Sequence, residues 1–371
     1  MDAGITVIGA GVVGLAVAAE VSGFCPDVFV IERNLKPGQE TSSRNSGVIH
    51  SGIYYPSGSL KAELCVEGRR LLYEYCKQNE IPHRKYGKLI IATDEFEKAQ
   101  LPGILERAEK NGVEGARLIG QDEIRNREAN ISAIQAIYFP ETGIVDVFYL
   151  MKQLEADASN RGTNFVYGSE VRKIEKLSGG YRITLHDADG KEFMFTSEKV
   201  VNSAGLYADK IAVMAGINNE SYRLFYWKGE YFGVINGKNK LINGLIYPVP
   251  ESNTVSLGIH ATLETDGRMK LGPNAIYLES RDIDYSVDER NKMNFYESVV
   301  RFLPFIEPED LVPDQAGIRP KLQKPGDATR DFIIREETET GFPGFINLIG
   351  IESPGLTSCL AIGKYVRALL S

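Results

Sequence analysis

Residues 3–32 read AGITVIGAGVVGLAVAAEVSGFCPDVFVIE. Ile5 to Ile8 is a compact apolar run, Val12 to Val21 is rich in alanine and valine, and Val28 to Ile31 is β-branched again, so the stretch predicts a strand, a helix and a second strand. Gly9, Gly11 and Gly14 stand between the first strand and the helix in the spacing GxGxxG, and Glu32 closes the second strand eighteen residues after Gly14. Each position has a physical task. Gly9 permits a tight turn, Gly11 lets the backbone approach a pyrophosphate, and Gly14 allows helix and strand to pack closely. The helix amino terminus offers positive potential to the phosphates, and Glu32 would take a ribose hydroxyl. This is the fingerprint of a dinucleotide-binding unit; alone it does not separate NAD from FAD, since both present adenosine diphosphate to it.

The chain has 371 residues, too many for one hydrophobic core and suited to two domains. With 25% charged and 43% hydrophobic residues it has the mixture of a globular protein. Its formal charge of −8 would repel a phosphate backbone, which argues against a nucleic-acid partner. Cys25, Cys65, Cys76 and Cys359 lie far apart with no CxxC pair, so they read as reduced thiols and no metal site is expected. The apolar amino terminus lacks the basic region of a signal peptide, for Asp2 is the only charge before the apolar run and Glu20 interrupts it. A cytoplasmic location is expected.

A polar segment from Arg33 to Ser59 far exceeds the usual connection of about 2 to 6 residues, which marks it as functional. Helices are expected over Leu60 to Asn79, Glu95 to Asn111, Asp146 to Arg161, Tyr207 to Ala215 and Val287 to Phe302. Strands are expected over Lys88 to Thr93, Asn164 to Tyr167, Val171 to Lys176, Tyr181 to Leu185, Glu192 to Phe195 and Lys199 to Asn202. From Leu224 to Leu263 the aromatic, β-rich pattern suggests an antiparallel sheet with one open face. The chain closes with a strand Phe345 to Ile349, a glycine turn and a helix Leu356 to Leu370. The opening unit is thus interrupted and resumed near residue 145 and again near 345. That interlacing favours a flavin, and the first turn of the last helix has unpaired N–H groups to set against an anionic ring.

The chain resembles the FAD-dependent oxidoreductases of the D-amino-acid oxidase and glycerol-3-phosphate dehydrogenase superfamily, and within it the L-2-hydroxyglutarate dehydrogenases and oxidases. The landmarks are GAGVVG with Glu32, SSRNSGVIHSGIYYPSGSLKAELC from Ser42, KGEY at Lys228, GIHATLETDGRMKLGPNA from Gly258, AGIRPK from Ala316 and GIESPGLTS from Gly350. The resemblance implies an α/β fold: a doubly wound FAD-binding domain, of the glutathione-reductase-like type, interlaced with a mixed, mainly antiparallel β substrate domain that roofs the substrate over the flavin. The expected FAD-binding domain is 1–81, 141–220 and 322–371, and the substrate-binding domain 82–140 and 221–321. Non-covalent FAD is implied at Gly9, Gly11, Val12, Val13, Gly14, Glu32, Arg33, Ser42, Ser43, Asn45, Ser46, Gly47 and Val48. Further implied contacts are Val171, whose backbone would meet the adenine, then Ser203, Ala204, Gly205, Gly317, Arg319, Glu352, Ser353, Pro354, Gly355, Leu356 and Thr357.

The implied reaction is oxidation of a small L-2-hydroxy acid, foremost L-2-hydroxyglutarate to 2-oxoglutarate. The hydroxyl loses a proton and the carbon hydrogen leaves as hydride, so a neutral imidazole is a suitable base. His260, read as following a strand of the substrate domain, matches the base position; His50 is a substrate contact or secondary base. His83 and His186 have no comparable context. A dicarboxylate needs fixed positive charge, best supplied by Arg319. Lys61 and Lys228 are candidates for the other carboxylate or the developing alkoxide, with Tyr54 and Tyr55 as walls or donors. Lys228 stands where an arginine is expected in the hydroxyglutarate enzymes. Reduced flavin would pass its electrons to dioxygen, a quinone or a carrier protein, and a quinone would bring the protein to the inner membrane face as a peripheral contact. The competing expectations are oxidation of an amino acid or amine such as glycine or sarcosine, oxidation of glycerol 3-phosphate, and a dinucleotide-binding protein without turnover.

Overall fold

The structure is a computed structural model that describes residues 1–250 and 258–370. The chain divides into two compact units, one of Met1–Ser43, Val147–Tyr226 and Arg319–Ser371, the other of Arg44–Asp146 and Trp227–Ile318. Among the described residues no helix is long and apolar enough to cross a membrane.

In the first unit five parallel strands lie in the order Asn164–Val166, Val28–Ile31, Ala3–Ile8, Glu192–Asn202 and Phe342–Ile349. Numbered along the chain this is 3-2-1-4-5, the doubly wound order. Two expected strands, Glu192 to Phe195 and Lys199 to Asn202, are one. Its first half pairs antiparallel with Gly180–Asp187 and its last residues pair parallel with Ala3–Ile8. The expected helix from Tyr207 begins as a 3-10 turn, Gly205–Tyr207, before Ala208–Met214. The helix Val12–Val21 is buried on nearly every side, with Val147–Asn160 and Gly355–Leu370 packed against it. A Cβ on Gly363 would meet the Ala16 carbonyl oxygen at 2.9 Å, so this glycine sets the approach of the last helix to the first. At the carboxyl ends of the central strands, Asn202 Nδ2 donates to Asn347 Oδ1 (2.7 Å) and Asn347 Nδ2 donates to Glu337 Oε1 (2.9 Å). That buried network holds the two strands in register.

The second unit is built on a mixed sheet in which Lys88–Ala92 runs parallel to Leu245–Pro248 and antiparallel to Gln135–Phe139. Side chains alternate along Lys88–Ala92: Leu89 and Ile91 enter one hydrophobic cluster, Ile90 and Ala92 the other. The first cluster takes Phe295 and Val299 from the helix Lys292–Val299, and the second takes Leu101 and Ala108 from the helix Leu101–Lys110. The sheet is therefore covered on both faces, not open on one as the pattern from Leu224 to Leu263 suggested; residues 251–257 of that stretch lie outside the described residues. The helix expected over Glu95 to Asn111 is broken into Glu95–Lys98 and Leu101–Lys110, with Pro102 in the first turn of the second piece, where its missing N–H costs nothing. The one expected over Val287 to Phe302 shortens to Lys292–Val299, preceded by a 3-10 turn.

Residues 44–81, expected with the nucleotide-binding segments, belong to the second compact unit. Local bonds explain it. Val48–Ile49 pairs with Gly143–Val145, and Arg69 Nη1 on the helix Leu60–Gln78 meets Glu141 Oε2 at 3.1 Å. Asn111 Nδ2 donates to the carbonyls of Gly52 (2.8 Å) and Tyr55 (2.9 Å). Gly143 lies at the centre of this junction, where a Cβ would overlap the Arg84 carbonyl oxygen and the Tyr73 hydroxyl. Gly143→Ala is expected to lower stability by about 1–3 kcal/mol, the usual cost of overpacking, in urea or thermal unfolding; an unchanged midpoint would show that the junction yields freely.

Candidate active site

The glycine turn of the first unit has the geometry its sequence requires. Gly9 has φ +103°, and a Cβ there would meet the Ser203 carbonyl oxygen at 2.6 Å. A Cβ on Gly14 would overlap the Gly9 carbonyl oxygen, so helix and strand can approach this closely only with glycine. The first bond of the helix ladder runs from Leu15 N–H to Gly11 O, which leaves the amides of Val12, Val13 and Gly14 ahead of it. Val12 N–H donates to Ser42 Oγ at 2.9 Å. Glu32 is 8% exposed; its two oxygens accept from Ala10 N–H and Asn34 N–H, both at 2.8 Å. The carboxylate thus fixes the turn as well as standing at the end of the second strand, and each oxygen retains a lone pair. Arg33 is paired with Glu40 and lies 3.8 Å over the Tyr207 ring. Ser203 Oγ donates to the Ile8 carbonyl at 2.9 Å, tying the loop of Ser203, Ala204 and Gly205 to the same strand end. Val171 sits at a bulge, where register shifts between Val171 and Lys173. Glu352, Ser353, Pro354 and Gly355 lead into the helix Gly355–Leu370, in which Thr357 is buried. A turn that only glycine can make, helix amides ahead of the ladder and an acid at the next strand end fit the adenosine diphosphate half of FAD.

The sequence-predicted cofactor residues are divided between the units. Gly9 to Gly14, Glu32, Arg33, Ser42, Ser43, Val171, Ser203 to Gly205, Arg319 and Glu352 to Thr357 fall in the first, while Asn45, Ser46, Gly47, Val48 and Gly317 fall in the second. A Cβ on Gly317 would overlap the Arg44 carbonyl oxygen, so this glycine seats the segment after Ser43 against its own unit.

The two catalytic candidates share the second unit. His260 comes after the strand Leu245–Pro248, opens the strand His260–Leu263, and is 5% exposed. Its Nδ1 lies 3.0 Å from the Gly258 carbonyl, which can only accept. We assign the proton to Nδ1 from this bond, and Nε2 is then the atom able to accept a proton. The imidazole stacks on Tyr247 with centroids 3.7 Å apart and planes 17° from parallel. His50 keeps some exposed surface, yet desolvation, then the positive charge of Lys88, lowers its pKa to about 3. It is a neutral imidazole at physiological pH and a poor proton acceptor.

Lys88 and Tyr247 are two buried residues near these candidates that the sequence did not single out. Lys88 Nζ lies 4.6 Å from the Tyr247 ring centroid and 4.9 Å from that of Tyr54. Only one signal pointed to it, a charge opening the otherwise apolar strand KLIIA. Of the predicted cations, Lys228 is buried and already paired, 2.9 Å from Asp284 Oδ2 and 3.9 Å from Glu230 Oε1, so it has little net charge to offer a substrate. Lys61 is buried in the first turn of the helix Leu60–Gln78. Tyr55 is held through its carbonyl by Asn111. Arg319 lies in the first unit, on the strand Leu311–Lys321, and is half-buried.

A family profile described as FAD dependent oxidoreductase (DAO) matches residues 4–369. The chain is 36% identical to an L-2-hydroxyglutarate dehydrogenase, mitochondrial, of Arabidopsis thaliana, over 97% of this chain and 82% of that protein. It is 31% identical to an L-2-hydroxyglutarate dehydrogenase of Indibacter alkaliphilus, over 99% and 98%. Among solved structures, the dithionite-reduced L-α-glycerophosphate oxidase of Mycoplasma pneumoniae with FAD bound is 26% identical with a TM-score of 0.89, covering 99% of this chain and 94% of that one. The glycine oxidase of Geobacillus kaustophilus shares the fold at 20% identity, with a TM-score of 0.81 over 99% and 94%. With the profile matched over almost every residue and relatives above 30% identity along the whole length, the chain belongs to the DAO family of FAD-dependent oxidoreductases.

Proposed function

We propose that this protein oxidises L-2-hydroxyglutarate to 2-oxoglutarate with non-covalently bound FAD. The supporting observation is full-length similarity to L-2-hydroxyglutarate dehydrogenases of plant and bacterial origin. FAD, when bound, supplies the acceptor for the hydride that leaves the substrate carbon. The glycine turn and Glu32 hold its adenosine diphosphate half. His260 takes the hydroxyl proton at Nε2, and the Gly258 carbonyl keeps that nitrogen the basic one throughout. Tyr247, stacked on the ring, fixes its plane, so the lone pair keeps one direction. His50 stays neutral and serves as a hydrogen-bonding contact, because burial beside Lys88 has removed its basicity. Arg319 is assigned a substrate carboxylate. The similarity to an L-α-glycerophosphate oxidase supports a second reading, oxidation of glycerol 3-phosphate.

A panel of L-2-hydroxyglutarate, glycerol 3-phosphate, glycine and sarcosine, assayed by dye reduction, separates these readings. Turnover of L-2-hydroxyglutarate at least tenfold above the others is expected; a preference for glycerol 3-phosphate or an amine would overturn the assignment. His260→Ala is expected to lower kcat by about 10²- to 10⁴-fold, the usual contribution of a positioned base, with the flavin spectrum intact. Near wild-type turnover would remove His260 from the chemistry. Gly14→Ala is expected to lower the melting temperature and to yield protein that purifies without its yellow colour, and full retention of FAD would contradict the role given to the turn.

A further inference from the structure

Lys88 lies on the face of its strand that carries Ile90 and Ala92, and only 1% of it is exposed. A buried ammonium ordinarily finds a carboxylate or carbonyl. Among the described residues Lys88 Nζ has no hydrogen-bond partner. It has aromatic neighbours, with the centroids of Tyr247, Tyr54 and Phe139 at 4.6, 4.9 and 5.5 Å. Ring quadrupoles offset part of the desolvation and supply no anion. The hydroxyl of Tyr54 is likewise buried without a hydrogen-bond partner among the described residues, while that of Tyr247 is buried beside Thr262. A cation and a phenolic hydroxyl withdrawn from water at such cost suit a ligand that brings the negative charge with it.

We propose that Lys88 receives the far carboxylate of the substrate and thereby selects a 2-hydroxydicarboxylate over a 2-hydroxymonocarboxylate, an inference that rests on the function proposed above. Tyr247 sets the spacing. His260 stacks 3.7 Å from its centroid and Nζ lies 4.6 Å from the same point, so imidazole and ammonium are no further apart than those two distances laid end to end. A five-carbon acid with its C2 hydroxyl at His260 carries a second carboxylate three carbons along, which a three-carbon 2-hydroxy acid lacks. An amine substrate would meet a like charge.

Among the described residues the titratable groups facing Lys88 are His50, Cys65, Tyr54 and Tyr247. Burial lowers Lys88 to about 7, with Cys65 opposing slightly. His50 is at about 3 and desolvation pushes Cys65 up to about 12, while burial raises both phenols well above their ordinary value. Between about pH 6.5 and 9 Lys88 is therefore the member of this group that titrates. A bound carboxylate favours the ammonium, so binding takes up a proton above pH 7. Stability has its own signature. In the unfolded chain Lys88 titrates near its ordinary value, so the cost of burying its charge is complete below pH 7 and fades as pH rises toward 10.5.

The test is calorimetric binding of 2-oxoglutarate and of pyruvate to the FAD-loaded protein across that pH range, which needs no turnover. Wild-type affinity for 2-oxoglutarate is expected to fall by up to about tenfold per unit above pH 7, and Lys88→Arg, always charged, is expected to flatten the profile. Lys88→Met is expected to weaken 2-oxoglutarate by about 10- to 100-fold and pyruvate by less than threefold, with a melting temperature at pH 6.5 equal to or above wild type. Equal losses for the two ligands, no loss for either, or an identical pH profile in Lys88→Arg would overturn the assignment. Wild-type protein that binds 2-oxoglutarate through Lys88 yet fails to oxidise L-2-hydroxyglutarate would overturn the proposed oxidation and leave the carboxylate site standing.

Discussion

The first helix lies so close to the first strand that Gly14 and the Gly9 carbonyl leave no space for a single carbon atom between them. Much of the first unit follows from that approach. It puts the start of the helix over the carboxyl end of the central strand, where Ser203 and Glu32 bind the same turn from the neighbouring strand ends. Parallel strands with helices packed on them need both faces buried, and the segments that return at residues 147 and 319 supply the missing strands and helices. The interruption of the unit in sequence is thus a consequence of how a doubly wound sheet is completed.

A different constraint governs the second unit. Its sheet is covered on both faces, so a polar side chain on a central strand must be compensated or must serve a ligand. Lys228 is compensated by Asp284 and Glu230. Lys270 is compensated by Glu264 at 2.6 Å. Lys88 has no hydrogen-bond partner for its Nζ among the described residues and is ringed by aromatic side chains, and a carbonyl and a stacked ring help to orient His260. Buried charge without a counter-charge among the described residues lowers stability, so Lys88 is a costly residue for a sheet that packs on both faces.

Elements set by local pattern were legible in the sequence: Val12–Val21, Val28–Ile31 and Lys88–Ala92 follow from their apolar composition, and the glycine turn follows from spacing, with φ +103° at Gly9 agreeing. What depends on distant partners was not. The fusion of two expected strands into Glu192–Asn202 requires two neighbours that pair with different halves. The covering of the second sheet requires helices remote in sequence, and the placement of residues 44–81 requires Glu141, Asn111 and Gly143. The same division applies to the site. Histidines stand out because there are four in the chain, whereas a lysine among forty-two basic residues is distinguished only by its surroundings. Lys228 was singled out by the run it stands in and Lys88 was not; only the carboxylate partners of Lys228 separate the two.

The central claim is that a flavin held by this chain is reduced by one enantiomer of a 2-hydroxydicarboxylate. Anaerobic addition of L-2-hydroxyglutarate to the yellow protein, followed at the visible flavin absorbance, tests it in one step. Full bleaching by the L enantiomer with none by the D enantiomer is the predicted result; an unchanged spectrum with both, or equal bleaching by the two, would contradict it.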